Sequence, residues 1–146
     1  MEFILNNQKY SILNHELFIN YLIVDSYFRD NQSLYDYDIE FNFITPILNK
    51  EKINFEDILE GTKVLEELIE KQEINFIPNG LIINSYSENF TITYQDLEFV
   101  NVNVGEAIPL IIALNTLLTY KPIVTLTQIS KELDHFLEKF RSYNDD

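Results

Sequence analysis

The sequence predicts an α+β fold, an antiparallel β-meander packed on a buried central helix with three further amphipathic helices, in a single domain over residues 1–146. Three observations lead there. Residues 106–120 carry no charge after Glu106, and Ile108, Leu110, Ile111, Ile112, Leu114, Leu117 and Leu118 occupy every side of a helical wheel. A helix apolar all round must be buried, and this one falls short of the roughly 20 residues that cross a bilayer. Between residues 74 and 104, apolar and polar residues alternate between turn signals, of which Asn79-Gly80 is the strongest. Elsewhere apolar residues recur at three- and four-residue intervals, the period of an amphipathic helix.

In chain order, residues 3–5 and 10–13 read as a short β-hairpin around Asn6-Asn7-Gln8-Lys9, because Asn tolerates the left-handed backbone of tight turns. Asn14 is placed to cap a helix over 15–29, whose Leu17, Phe18, Tyr21, Leu22, Asp25 and Phe28 form one thick side. Tyr35, Tyr37, Ile39, Phe41 and Phe43 then alternate with Asp36, Asp38, Glu40 and Asn42, the pattern of a half-buried strand with an acidic face. Residues 44–52, with Pro46, read as a loop. Asn54 and Asp57 have the spacing of a capping box and open a helix running to about residue 72. Its inner side is assigned Phe55, Ile58, Leu59, Leu65, Leu68 and Ile69. Its outer side carries Glu56, Asp57, Glu60, Glu66, Glu67 and Glu70, offset by Lys63 and Lys71. Gly61 weakens the middle by about 1 kcal/mol relative to Ala and is where a kink is expected.

Residues 74–77 and 81–86 flank Pro78-Asn79-Gly80 as a hairpin. A turn at 87–89 leads into Phe90, Ile92 and Tyr94, alternating with Thr91, Thr93 and Gln95, and 99–104 alternates again. Gly105 and Pro109 suit a central helix starting near Glu106, with Pro109 in its first turn. Thr125 or Thr127 caps a last helix with the stripe Ile129, Leu133, Phe136, Leu137 and Phe140. Lys131, Glu132, Asp134, Glu138, Lys139 and Arg141 are assigned to its outside.

A chain of 146 residues has the length of one domain and buries about two thirds of its unfolded surface. Cysteine is absent, which removes disulfides and thiolate chemistry and fits a reducing cytoplasm. The first residues are acidic, with a short apolar run, where a secretory signal would be basic and longer, so no export signal is expected. Ten Lys and Arg stand against 24 Asp and Glu, a formal net charge of −14. Such a chain repels phosphates and anionic lipid headgroups, so neither nucleic acid nor a membrane is an expected partner, whereas a basic macromolecule is attracted and steered. Residues 72–120 hold no Lys or Arg, so the meander should expose a negative surface.

Much familiar chemistry has no sequence to carry it. Glycines at 61, 80 and 105 form neither G-x-G-x-x-G nor a P-loop, and there is no Gly-x-Ser-x-Gly elbow. His15 and His135 have no second histidine at a ligand spacing and read as partly exposed structural residues. Asp36-x-Asp38-x-Glu40 lacks the glycine and later Glu of a calcium loop, and Asp/Glu-x-Lys occurs nowhere. A glycosidase needs only two carboxylates about 5–10 Å apart, an arrangement that sequence leaves open. No enzyme activity, cofactor or metal is expected.

In size and acidity over its whole length, the chain resembles the immunity proteins that bacteria carry beside secreted polymorphic or contact-dependent toxins. That resemblance implies cytoplasmic binding of a cognate toxin domain, a nuclease for example, and occlusion of its active site or substrate groove. The expected partner is therefore a basic protein. Tyr35, Asp36, Tyr37, Asp38 and Glu40 form the first candidate binding stripe, combining tyrosines with acids. The same residues also read as a solvated face opposite a core face. Glu66, Glu67 and Glu70 form the second stripe. Two other readings stay open: a phage or mobile-element inhibitor imitating nucleic-acid charge, whose acids would be spaced like phosphates, and an assembly subunit using the central helix.

Overall fold

The computed structural model describes residues 2–5, 8–30, 44–48, 52–86, 88–120 and 125–144. In chain order they form β1 (Glu2–Leu5), β2 (Gln8–Ser11), α1 (Asn14–Asp30), α2 (Thr45–Leu48), α3 (Phe55–Glu70), β3 (Leu81–Tyr86), β4 (Asn89–Tyr94), β5 (Leu97–Val102), α4 (Val104–Tyr120) and α5 (Leu126–Asn144). The chain divides into two compact units, Ser11–Asn75 and Glu2–Tyr10 with Phe76–Asp146. The strand expected over 35–43 lies outside the described residues.

In the first unit α1 packs against α3. α1 buries Leu17, Phe18, Tyr21, Val24, Tyr27 and Phe28, and each such side chain removed from water contributes about 1.5–3 kcal/mol. Asn14 does not cap it. The Leu13 carbonyl accepts from the Glu16 and Leu17 amides at 2.9 and 3.2 Å, while the Asn14 side-chain amide donates to Glu66 Oε2 at 2.7 Å. The residue thus joins two helices instead of folding back on its own.

α3 opens on the expected capping box. The Asp57 amide donates to Asn54 Oδ1 at 3.0 Å, and the Asn54 amide donates to Asp57 Oδ2 at 3.3 Å. It closes in a Schellman arrangement, with Gln72 N–H bonded to the Ile69 carbonyl at 3.0 Å and Glu73 N–H to the Leu68 carbonyl at 2.9 Å. Gln72 takes the left-handed φ of 60° that this stop requires. Gly61 causes no break. The helix runs through it, and a Cβ at this position would stand 2.5 Å from Cε2 of the buried Phe18 ring. The glycine permits close approach of α1, in place of the kink expected from its propensity. The expected loop around Pro46 contains one helical turn, α2, with Ile44 and Ile47 buried beside it. Proline's fixed φ is compatible with the first turn of a helix.

In the second unit, β3, β4 and β5 form an antiparallel sheet in that order, which packs through β4 on α4. The α+β class and the meander are as the sequence predicts. Phe90, Ile92, Leu97, Phe99 and Val102 are buried, as is every residue from Glu106 to Leu114. α5 lies along α4 and buries Ile129, Leu133, Phe136 and Leu137, with Phe140 stacked on Phe136 at 6.1 Å. β1 and β2 pair separately; β1 lies against β3, and Tyr10 meets Phe90 edge-on at 5.5 Å.

Four expectations are corrected here. Residues 74–77 are not a strand: the Ile74 amide joins that of Glu73 on the Leu68 carbonyl, and Pro78 has no N–H to offer a ladder. The turn Pro78–Leu81 is real, with Gly80 at φ 84° and Leu81 N–H bonded to the Pro78 carbonyl at 3.3 Å. β5 begins at Leu97, and its alternation fails because three of its steps, Phe99 to Val102, face two on β4, Ile92 to Phe90. The extra residue is accommodated by Asn101 at φ 57°, leaving Val100 and Asn101 both exposed before Val102 turns back inward. α4 begins at Val104, which places Pro109 in the second turn and removes the amide that would bond the Gly105 carbonyl. Finally, Glu132 is 2 % exposed, because three residues past Ile129 and four before Phe136 is the stripe itself.

Candidate functional site

An α-helix advances about 100° per residue, so the buried Gly61 and Leu65 define the inward direction of α3. Ile58, Leu68 and Ile69, half-buried, lie within about 60° of it. Phe55 and Leu59 lie about 100° and 140° away and are 68 % and 41 % exposed. Their assignment to the inner side is therefore corrected: they stand on the outward half with Glu56, Glu60, Lys63, Glu67 and Glu70, all exposed.

The second candidate stripe separates into two roles. Glu67 and Glu70 are exposed on the outward half, while Glu66 is half-buried and accepts the Asn14 hydrogen bond, so part of its charge is spent joining α1 to α3. Asp57, also assigned outward, is buried by its place in the capping box. Across the outward half, Glu56, Glu60, Glu66, Glu67 and Glu70 face only Lys63 and Lys71. Tyr35, Asp36, Tyr37, Asp38 and Glu40, the first candidate stripe, lie outside the described residues.

Two other acids are buried and held by arginines. Asp25 is fully buried on α1 and accepts from Arg29 Nε at 2.5 Å through Oδ2, while Oδ1 has no hydrogen-bond partner among the described residues. Burial raises its carboxyl above the ordinary 3.8, outweighing the Arg29 hydrogen bond and charge, which pull it down. Glu106 works twice. Its Oε1 accepts from the Asn103 amide at 3.5 Å while Asn103 Oδ1 accepts from the Glu106 amide at 2.9 Å, and its Oε2 accepts from Arg141 Nε. This second capping box, and a third at Thr125 and Gln128, set the starts of α4 and α5. Both have the spacing by which the first was found.

An open groove of about 650 Å³ runs beside the β4–β5 turn and the start of α5, with Asp96, Asp134 and Lys131 on its walls and Thr127 and Ser130 between them. Its charges are mixed and its acids exposed. Among the described residues no three His, Asp or Glu side chains gather in a metal-ligating arrangement, and no helix is long and apolar enough to cross a membrane. His15 and His135 are both partly exposed.

Phe55 and Leu59 are core-type residues by composition, yet they stand on the surface. The available signal was the helical angle set by Gly61 and Leu65, which outranks hydrophobicity in deciding which way a side chain points. Compared with protein families, with curated proteins and with solved structures, the chain matches none.

Proposed function

We propose that the chain is a non-enzymatic acidic binding protein that neutralises a basic protein partner, acting in the cytoplasm as an immunity protein that occludes a cognate toxin domain. The observation that carries this reading is the outward half of α3, where four exposed carboxylates, Glu56, Glu60, Glu67 and Glu70, stand beside two lysines on a helix capped at both ends. The chain's net charge of −14 extends the same field. Many toxins that act on nucleic acid present basic grooves to phosphates, so an acidic body is drawn to the surface it must cover. Steering raises the association rate, and affinity then rests on a few desolvated anchors. A capped helix suits the task, because its backbone is already ordered before binding.

The test begins with the chain immobilised at low salt, the captured proteins identified, and the basic one among them purified with its activity assay. Triple reversal of Glu56, Glu60 and Glu67 to Lys should slow its association about tenfold or more and abolish inhibition of its activity. Reversal of Asp36, Asp38 and Glu40 measures the other stripe in the same assay. A captured protein whose activity the chain leaves untouched, or one that is itself acidic, contradicts the reading.

A further inference from the structure

α3 satisfies its inward side with Gly61 against Phe18 and with buried Leu65, yet it also carries a large aromatic on its outward half. Phe55 is the first residue of the helix, held immediately after Asn54 in the capping box, and is 68 % exposed. Leu59 lies one turn on, and Ile53, also exposed, precedes the cap. Glu56 and Glu60 lie along one side of the Phe55–Leu59 pair, Lys63 stands one turn beyond Leu59, and Glu67 and Glu70 follow toward the C-terminal end. An exposed aromatic–aliphatic pair on a rigid support, set among four exposed carboxylates and one lysine, has the anatomy of a binding hot spot.

We infer that Phe55 and Leu59 are the apolar anchor of the partner surface, seated in an apolar pocket of a basic protein whose Lys and Arg residues meet Glu56, Glu60, Glu67 and Glu70. This rests on the proposed function and narrows it from charge alone to an amphipathic basic partner. Charge complementarity selects the occupant. A second copy docking by the same patch would set carboxylates against carboxylates, since a two-fold contact is self-complementary. An anionic lipid surface would be repelled by the same rim.

Two labelled peptides of equal charge serve as probes, one a helix-forming Leu/Lys amphipath and the other Lys with Ser in place of Leu. Fluorescence anisotropy should show the amphipath binding the full chain about tenfold more tightly. Phe55→Ala with Leu59→Ala should remove that advantage and leave Lys/Ser binding unchanged. In the unaltered protein, amide NMR shifts on adding the amphipath should concentrate at residues 53–60, a readout that needs no variant to fold. Equal binding of both peptides, or shifts elsewhere, overturns the anchor while the charge reading stands; no binding of either removes both. Self-association, or binding to phosphatidylserine vesicles, that is lost in the double variant assigns the patch to another occupant and also overturns it.

Discussion

Asp25 is the residue whose surroundings oppose its chemistry most directly. A carboxylate at 0 % exposure loses its hydration, and one arginine on the next turn restores only part of it. Folded, the carboxyl takes up its proton at a higher pH than when unfolded, so between 3.8 and its raised value the native state holds more protons. Stability therefore falls as pH rises through that window, and the loss persists above it. Asp25→Asn cannot titrate, so its stability relative to the parent should climb with pH across the window and then level off. Urea unfolding of both chains at several pH values measures this, and a flat or falling difference would contradict it. Gly61 gives a second residue-scale prediction. In an exposed helix Gly→Ala is worth about 1 kcal/mol of stability. Here the added methyl meets a Phe18 ring that is itself fully buried, so Gly61→Ala should instead destabilise by about 1–3 kcal/mol. Spacing placed Asp25 on the packed side of α1, but its ionisation depends on what packs over it. Gly61's role depends on a residue 43 positions away in the chain, which periodicity within one helix does not report.

At the scale of elements, local rules carried far where the signal was local. Asn54 and Asp57 announced the start of α3, and the same three-residue spacing at Asn103–Glu106 and Thr125–Gln128 marks α4 and α5. The errors arose where neighbours compete for one backbone group or one face. Ile74 looks like a strand residue, yet its amide finishes a helix. Glu132 looks like a surface residue, yet the helical period buries it. The β5 bulge could not be read at all, because alternation assumes one residue opposite one, and only pairing with β4 shows the extra one. That bulge depends on Asn101 accepting a left-handed backbone. Asn101→Val should cost about 1–2 kcal/mol in thermal or urea unfolding, while Asn101→Gly should be neutral or better. Equal stability of the two variants would mean that the left-handed residue is not what sustains the register.

For the whole molecule, charge was the property most legible in composition and least legible in placement. The excess of 24 acids over 10 bases could be counted before any fold was known. Which acids face outward was legible only in part: the helical period set Glu56, Glu60, Glu67 and Glu70 on the outer side of α3, where they are exposed, but it did not report which acids bond within the fold. Glu66, Asp57, Glu106, Glu132 and Asp25 are each drawn wholly or partly into structural work, and Glu56, Glu60, Glu67 and Glu70 stay on the surface. The candidate site is half visible in the sequence as a result: the acids of α3 mark the helix, while the apolar pair beside them has the composition of core. On the proposed function, this surface charge draws in a basic protein. Stopped-flow association with the purified basic partner, across about 0.05 to 0.5 M salt, tests it most directly, because screening shortens the reach of exposed charges over that range. The association rate should fall about tenfold or more with salt while dissociation changes little; an association rate independent of salt would contradict the charge-driven encounter.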